Sequence, residues 1–107
     1  LIKIQLKCDK YDDDNAKCIL IMDGHANFAK KNDIVCAGAS AIAYSLLGFL
    51  DNYYPRSYSL LIRDGYLNVE CVEYGSELQV AFDVIYIGLL QLAAQYPECI
   101  EINKLGA

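Results

Sequence analysis

Histidine occurs once in these 107 residues, as His25, and the five cysteines include no Cys-x-x-Cys pair. Zinc sites draw about four Cys or His ligands from short paired spacings, so no metal site is expected and no cofactor is called for. Clustered basic residues are also lacking. The nine Lys and Arg are scattered, with only Lys30 and Lys31 adjacent, and the net charge is -5. Phosphate contacts need grouped cations, which excludes RNA and DNA as expected ligands. The amino-terminal stretch has no apolar block, because Lys3, Gln5 and Lys7 alternate with apolar residues, and no signal peptide is expected. Cys8, Cys18, Cys36, Cys71 and Cys99 are odd in number and widely spaced, unlike a disulfide framework. The expectation is a reduced, cytoplasmic protein whose cysteines mostly serve as small core hydrophobes. Asp12, Asp13 and Asp14 lack the Gly and Glu of a calcium loop and read as a solvated turn.

What is present is apolar surface and clear periodicity. Hydrophobic residues make up 55% and charged residues 21%, which fits one folded domain over residues 1–107. Ile2, Ile4, Leu6 and Cys8 alternate with polar residues as a half-buried strand, and Ala16 to Asp23 reads as its hairpin partner. A helix is expected from about Ile34 to Tyr53, capped by Asp33 and ended by Asn52 and Pro55. Ser57 to Arg63 and Tyr66 to Tyr74 flank Asp64-Gly65, a hairpin signal. Ser76 and Gln79 suggest a capping box for a second helix, Glu77 to Tyr96, with the stripe Leu78, Phe82, Ile85, Leu89, Leu92 and Tyr96. Pro97 stops it, and Cys99 to Asn103 reads as a last strand. The fold class is therefore α+β. Two helices pack on a largely antiparallel five-stranded sheet, in the order ββα-ββα-β.

Both helices are long and uncharged. Ile34 to Leu50 spans 17 residues without a charge, and Val84 to Tyr96 spans 13. A membrane span needs about 20 apolar residues, and Gly38, Ser40, Ser45 and Gly48 interrupt the first run, so no membrane partner is expected. A helix apolar all round is usually covered on more than one side. In so small a domain a second copy is the expected cover, which makes a homodimer the expected assembly.

Chemistry concentrates in Asp23-Gly24-His25-Ala26 and Asp33-Ile34-Val35-Cys36-Ala37-Gly38-Ala39-Ser40. With Asp33 as the cap, Cys36 falls in the first turn of a helix. There the unpaired amides and the helix dipole favour a thiolate. His25 precedes a loop that can fold back to that turn and serve as general base. Amides of the helix start, that of Cys36 included, are candidate donors to an oxyanion. Ser40 lies one turn along on the Cys36 face, where it can orient a water, the imidazole or a peptide. Between the two blocks, Ala26 to Asn32 offers Phe28 as almost its only apolar anchor and reads as a mobile gate.

These two blocks resemble the ribosomal-processing cysteine protease family, Prp. The resemblance extends to chain length and element order. It implies a cytoplasmic, homodimeric endopeptidase that removes the N-terminal extension of a large-subunit ribosomal protein precursor, protein twenty-seven, after a pair of aromatic residues. It also implies Cys36 as nucleophile and His25 as base, with Gly24, Asp33 and Ser40 in supporting positions. The loop from Asn27 to Asn32 departs from the family in being one residue shorter. The competing readings are a non-catalytic dimeric binding module or chaperone for a ribosomal component, and a redox-sensing thiol.

Overall fold

A computed structural model describes residues 1–31 and 33–105. It contains β1 (Ile2–Lys10), β2 (Asn15–Gly24), α1 (Ile34–Tyr53), β3 (Tyr58–Arg63), β4 (Tyr66–Tyr74), α2 (Gly75–Gln95) and β5 (Ile100–Leu105). The five strands form one sheet in the order β3-β4-β2-β1-β5. All neighbours are antiparallel except β1 and β5, which run parallel. The sheet is thus mixed, with its one parallel pair at the β5 edge.

Strand periodicity decides which face is covered. Ile2, Ile4 and Leu6 of β1, Cys18, Leu20 and Met22 of β2, and Leu67, Val69 and Cys71 of β4 are all buried. Their neighbours in sequence point to the opposite face. On the helix side they meet Val35, Ala39, Ala43, Leu46 and Leu50 of α1, and Leu78, Phe82, Ile85, Leu89 and Ala93 of α2. Each fully buried Leu or Phe in that layer contributes roughly 1.5–3 kcal/mol relative to its exposed state. The far side of each helix remains apolar but uncovered: Ile34, Tyr44, Val80, Val84, Ile87 and Leu90 are exposed. By length and composition alone, both helices are long and apolar enough to cross a membrane.

Two local features differ from the sequence expectations, and a third adds detail to one of them. First, α2 begins at Gly75 with Tyr74 as its cap and no side-chain capping bond. β4 runs straight into the helix, so Ser76 already lies inside the first turn and forms no capping box. The Gly75 amide instead donates to the Asp14 carbonyl, at 3.0 Å. Second, Cys8 and Cys18 form a disulfide. Hairpin register sets them directly opposite, at a Cα separation of 4.1 Å, on the core side of β1 and β2. That corrects the fully reduced expectation for this pair and leaves Cys36, Cys71 and Cys99 free. Third, the β1–β2 turn is organised by one of its aspartates. Asp12 Oδ1 accepts from the amides of Asp14 and Asn15, at 3.0 and 2.9 Å.

Candidate active site

The site forms where β2 ends, α1 begins and the β3–β4 hairpin turns. Gly24 closes β2 at φ 106°, a conformation open to glycine. A Cβ there would run into the Leu1 carbonyl oxygen, and the Gly24 amide donates to the Gly65 carbonyl at 2.8 Å. This crossing leads the chain out of the sheet at His25, whose side chain remains 54% exposed.

Asp33 builds the other wall. Its Oδ1 accepts from the amides of Val35 and Cys36, both at 3.0 Å, so it caps α1 as the sequence indicated. Its Oδ2 accepts from the amides of Phe28 and Ala29, at 3.0 and 3.4 Å. One carboxylate therefore fastens the loop to the helix start. These donors, the Cys36 amide foremost, hold the Asp33 carboxyl below its ordinary value of 3.8 against an opposing effect of desolvation. The loop has further anchors: Ala26 is buried, and Phe28 meets Tyr96 edge-on at 5.3 Å. Lys30 and Lys31 are exposed. Asn32, the end of the expected gate, lies outside the described residues.

Cys36 sits half-buried at the third position of α1, where its Sγ accepts from the Ala26 amide at 3.2 Å. This corrects the expected use of the Cys36 amide as an oxyanion donor, because Asp33 already takes that N–H. The donor that reaches the sulfur comes from the residue after His25 instead.

His25, Cys36, Ser40 and Gly24 all line one cavity of about 450 Å³. Asp33 is not part of that wall. The same cavity takes Ile62, Arg63, Asp64, Gly65 and Tyr66 from the hairpin, and Tyr44 from α1. Sequence reasoning missed the hairpin's part. Asp64 Oδ2 lies 4.0 Å from His25 Nε2. Gly65 has φ 69°, and a Cβ there would come within 2.7 Å of the same nitrogen. The sequence signal there is Asp64-Gly65 itself, which predicts a hairpin turn and nothing of the imidazole. Among the described residues no group of three or more His, Cys, Asp or Glu could hold a metal ion.

A nucleophile-type thiol, a backbone donor at its sulfur and an imidazole in the same open cavity are the parts of thiol acyl transfer. The family model for the cysteine protease Prp matches residues 1–101. Among solved structures, the chain is similar to the essential ribosomal processing protease Prp from S. aureus in complex with a covalently linked product peptide. Identity there is 25%, coverage is 98% of this chain and 100% of that chain, and the TM-score is 0.82. The same S. aureus protease with a substrate peptide gives 24% identity, the same coverage and a TM-score of 0.77. SMU.848 from Streptococcus mutans shares the fold at 22% identity and a TM-score of 0.72, covering 98% of this chain and 94% of that one. No curated protein matches. With a family model matching nearly its whole length, this chain belongs to the Prp family of cysteine proteases.

Proposed function

We propose that the chain is an endopeptidase that trims the N-terminal extension from the precursor of large-subunit ribosomal protein twenty-seven. The observation that carries the reading is the Ala26 amide on Cys36 Sγ, at the start of a capped helix, in a cavity shared with His25. His25 takes the Cys36 proton as the sulfur attacks the scissile carbonyl carbon, forming a C–S bond and an oxyanion. The Ala26 N–H, freed as charge leaves the sulfur, is in place to follow it to the new oxyanion. Collapse expels the amine, which receives the proton from His25. Water, deprotonated by the same imidazole, then hydrolyses the thioester and restores the thiol. Ser40 and Asp33 support this pair, the first from the cavity wall and the second by fixing the loop.

The likeness to a protease described as ribosomal-processing supports the substrate. So does the charge: a chain at -5 attracts a basic ribosomal protein. Cytoplasmic action, where ribosomes assemble, and a homodimeric state belong to the same proposal. Supporting the dimer is an apolar groove of about 750 Å³ between α1 and α2, lined by Leu46, Phe49, Tyr53, Val80, Val84 and Ile85. The test incubates the protein with the extended precursor and weighs the products by mass spectrometry. One new N-terminus at the end of the extension is expected, and none with Cys36→Ala. An intact precursor after prolonged incubation with unmodified protein would refute the proposal.

A further inference from the structure

β3 is an edge strand, bonded to β4 on one side and, among the described residues, flanked by no strand on the other. The direction of its main-chain groups follows from one bond. The Val72 amide donates to the Ser57 carbonyl, which makes Ser57 and Val72 a hydrogen-bonded pair just ahead of the strand. Bonded and non-bonded pairs alternate along an antiparallel ladder. By the observed register the bonded pairs are then Ser59 with Glu70, Leu61 with Asn68, and Arg63 with Tyr66. The N–H and C=O groups of Tyr58, Leu60 and Ile62 consequently point outward from the sheet.

Edges of this kind are normally blunted with Lys, Pro or a bulge. Tyr58–Arg63 contains no Lys and no Pro, and it exposes Leu60 by 41%, Leu61 by 52% and Ile62 by 46%. Tyr58, Leu60 and Ile62 pair with Cys71, Val69 and Leu67, which are buried, so they lie on the helix side of the sheet. There α1 runs alongside. The Tyr58 hydroxyl donates to Asp51 at one end, and Ile62 shares the catalytic cavity with Tyr44 at the other. The free edge therefore continues directly into the cavity that holds Cys36 and His25.

We infer that the outward edge of β3 receives the substrate as an added strand, so that main-chain bonds to Leu60 and Ile62 lead the scissile peptide to Cys36. This rests on the peptidase reading and names how its substrate is held. An extended chain matches the repeat of outward groups, about 6.6–6.8 Å for every second residue. Its alternate side chains lie over Leu60, Ile62 and Tyr44, so apolar residues are preferred at every second position. A second copy on this edge would close the cavity mouth at Ile62 and Arg63. The exposed groove between α1 and α2 is the surface left for it.

The test is a backbone N-methyl scan of a peptide covering the extension of the precursor of protein twenty-seven. Cleavage is measured with unmodified protein, and equilibrium binding with Cys36→Ala by fluorescence anisotropy. Methylation at alternate positions should raise KM and Kd by about fivefold to tenfold, with the intervening positions near unity. Leu60→Pro removes an outward N–H without touching the ladder to β4, a position where an edge strand tolerates proline. It should raise KM about tenfold with kcat within twofold, while Leu60→Ala, which keeps the amide, should do less. A flat methylation profile, or an unchanged KM in Leu60→Pro, overturns the inference. So does dissociation of a dimer by that substitution. Periodic binding without any cleavage would instead sustain the edge and sink the peptidase reading.

Discussion

Removing Sγ from Cys36 deletes the proposed nucleophile while leaving a helix position that alanine suits well. Cys36→Ala should therefore lower peptide cleavage by roughly a millionfold, the scale of losing such a group, with an unchanged circular dichroism spectrum. Residual cleavage comparable to the unmodified protein would move the chemistry elsewhere. Thiol labelling separates the free cysteines independently of substrate. Burial, with Glu73 adding to it, pushes the Cys71 thiol up to about 11, and Cys99 is buried. Iodoacetamide at neutral pH should thus modify Cys36 first, and the peptide carrying Cys71 last. Gly65 offers a subtler probe. Gly65→Ala puts a methyl within 2.7 Å of His25 Nε2, and its φ of 69° costs a non-glycine residue about 1–2 kcal/mol. The imidazole is the part free to yield, so kcat should fall by roughly tenfold to a hundredfold while the fold survives. Unchanged kinetics would mean that the imidazole does its work away from the turn.

At the scale of elements, the loop from His25 to Asp33 and the first turn of α1 act as one piece because both halves bond to one carboxylate. Asp33→Asn separates the two functions. Its amide oxygen still caps the helix, but the NH2 that replaces Oδ2 cannot accept from Phe28 and Ala29. The helix should persist, trypsin should cut faster at the exposed Lys30 or Lys31, and turnover should drop by roughly tenfold or more. Acid should mimic it. The Asp33 carboxyl lies below 3.8 when folded, so its stabilisation is present above that value and is lost as pH falls through the folded value. Hydrogen exchange at the Phe28 and Ala29 amides checks this: protection should hold at pH 5 and vanish only below 3.8. Exchange that is fast at both would show that the latch does not restrain the loop. The legibility of these elements follows the range of the signals that define them. Asp33 and Pro55 bound α1 by local chemistry, so its ends were readable. The start of α2 was not, because β4 abuts it without a loop and only tertiary packing selects the boundary. Cys8 and Cys18 read correctly as inward-facing, but parity fixes a face and leaves the partner to register. Within the site, Cys36 stands out by helix-start chemistry and His25 as the one histidine, just ahead of the loop. Asp64 and Gly65 do not, since only folding brings a distant hairpin turn to the imidazole.

For the whole molecule, the unresolved balance is between one buried face of each helix and the apolar face left over. Val80, Val84, Ile87 and Leu90 of α2 project from the side opposite the sheet, and Phe49 and Tyr53 of α1 flank the groove beside them. An apolar surface of this kind is what the proposed dimer would cover. A specific dimer should bury more than about 1,000 Å² in total. Val84 tests this cleanly because it is 60% exposed in the single chain. Val84→Glu places its carboxylate in water when the protein is monomeric, at little cost to the fold, but strands it against apolar side chains across a dimer interface. Sedimentation at micromolar concentration should therefore give twice the chain mass of 11.9 kDa for the unmodified protein and a single mass for the variant. The cavity proposed for catalysis lies at the other end of α1, around Cys36 and Ser40 rather than Phe49 and Tyr53. A monomeric variant should consequently keep cleavage of a short peptide within a few-fold, while losing thermal stability that depends on concentration. If the unmodified protein sediments as a monomer, the second-copy reading of that face falls.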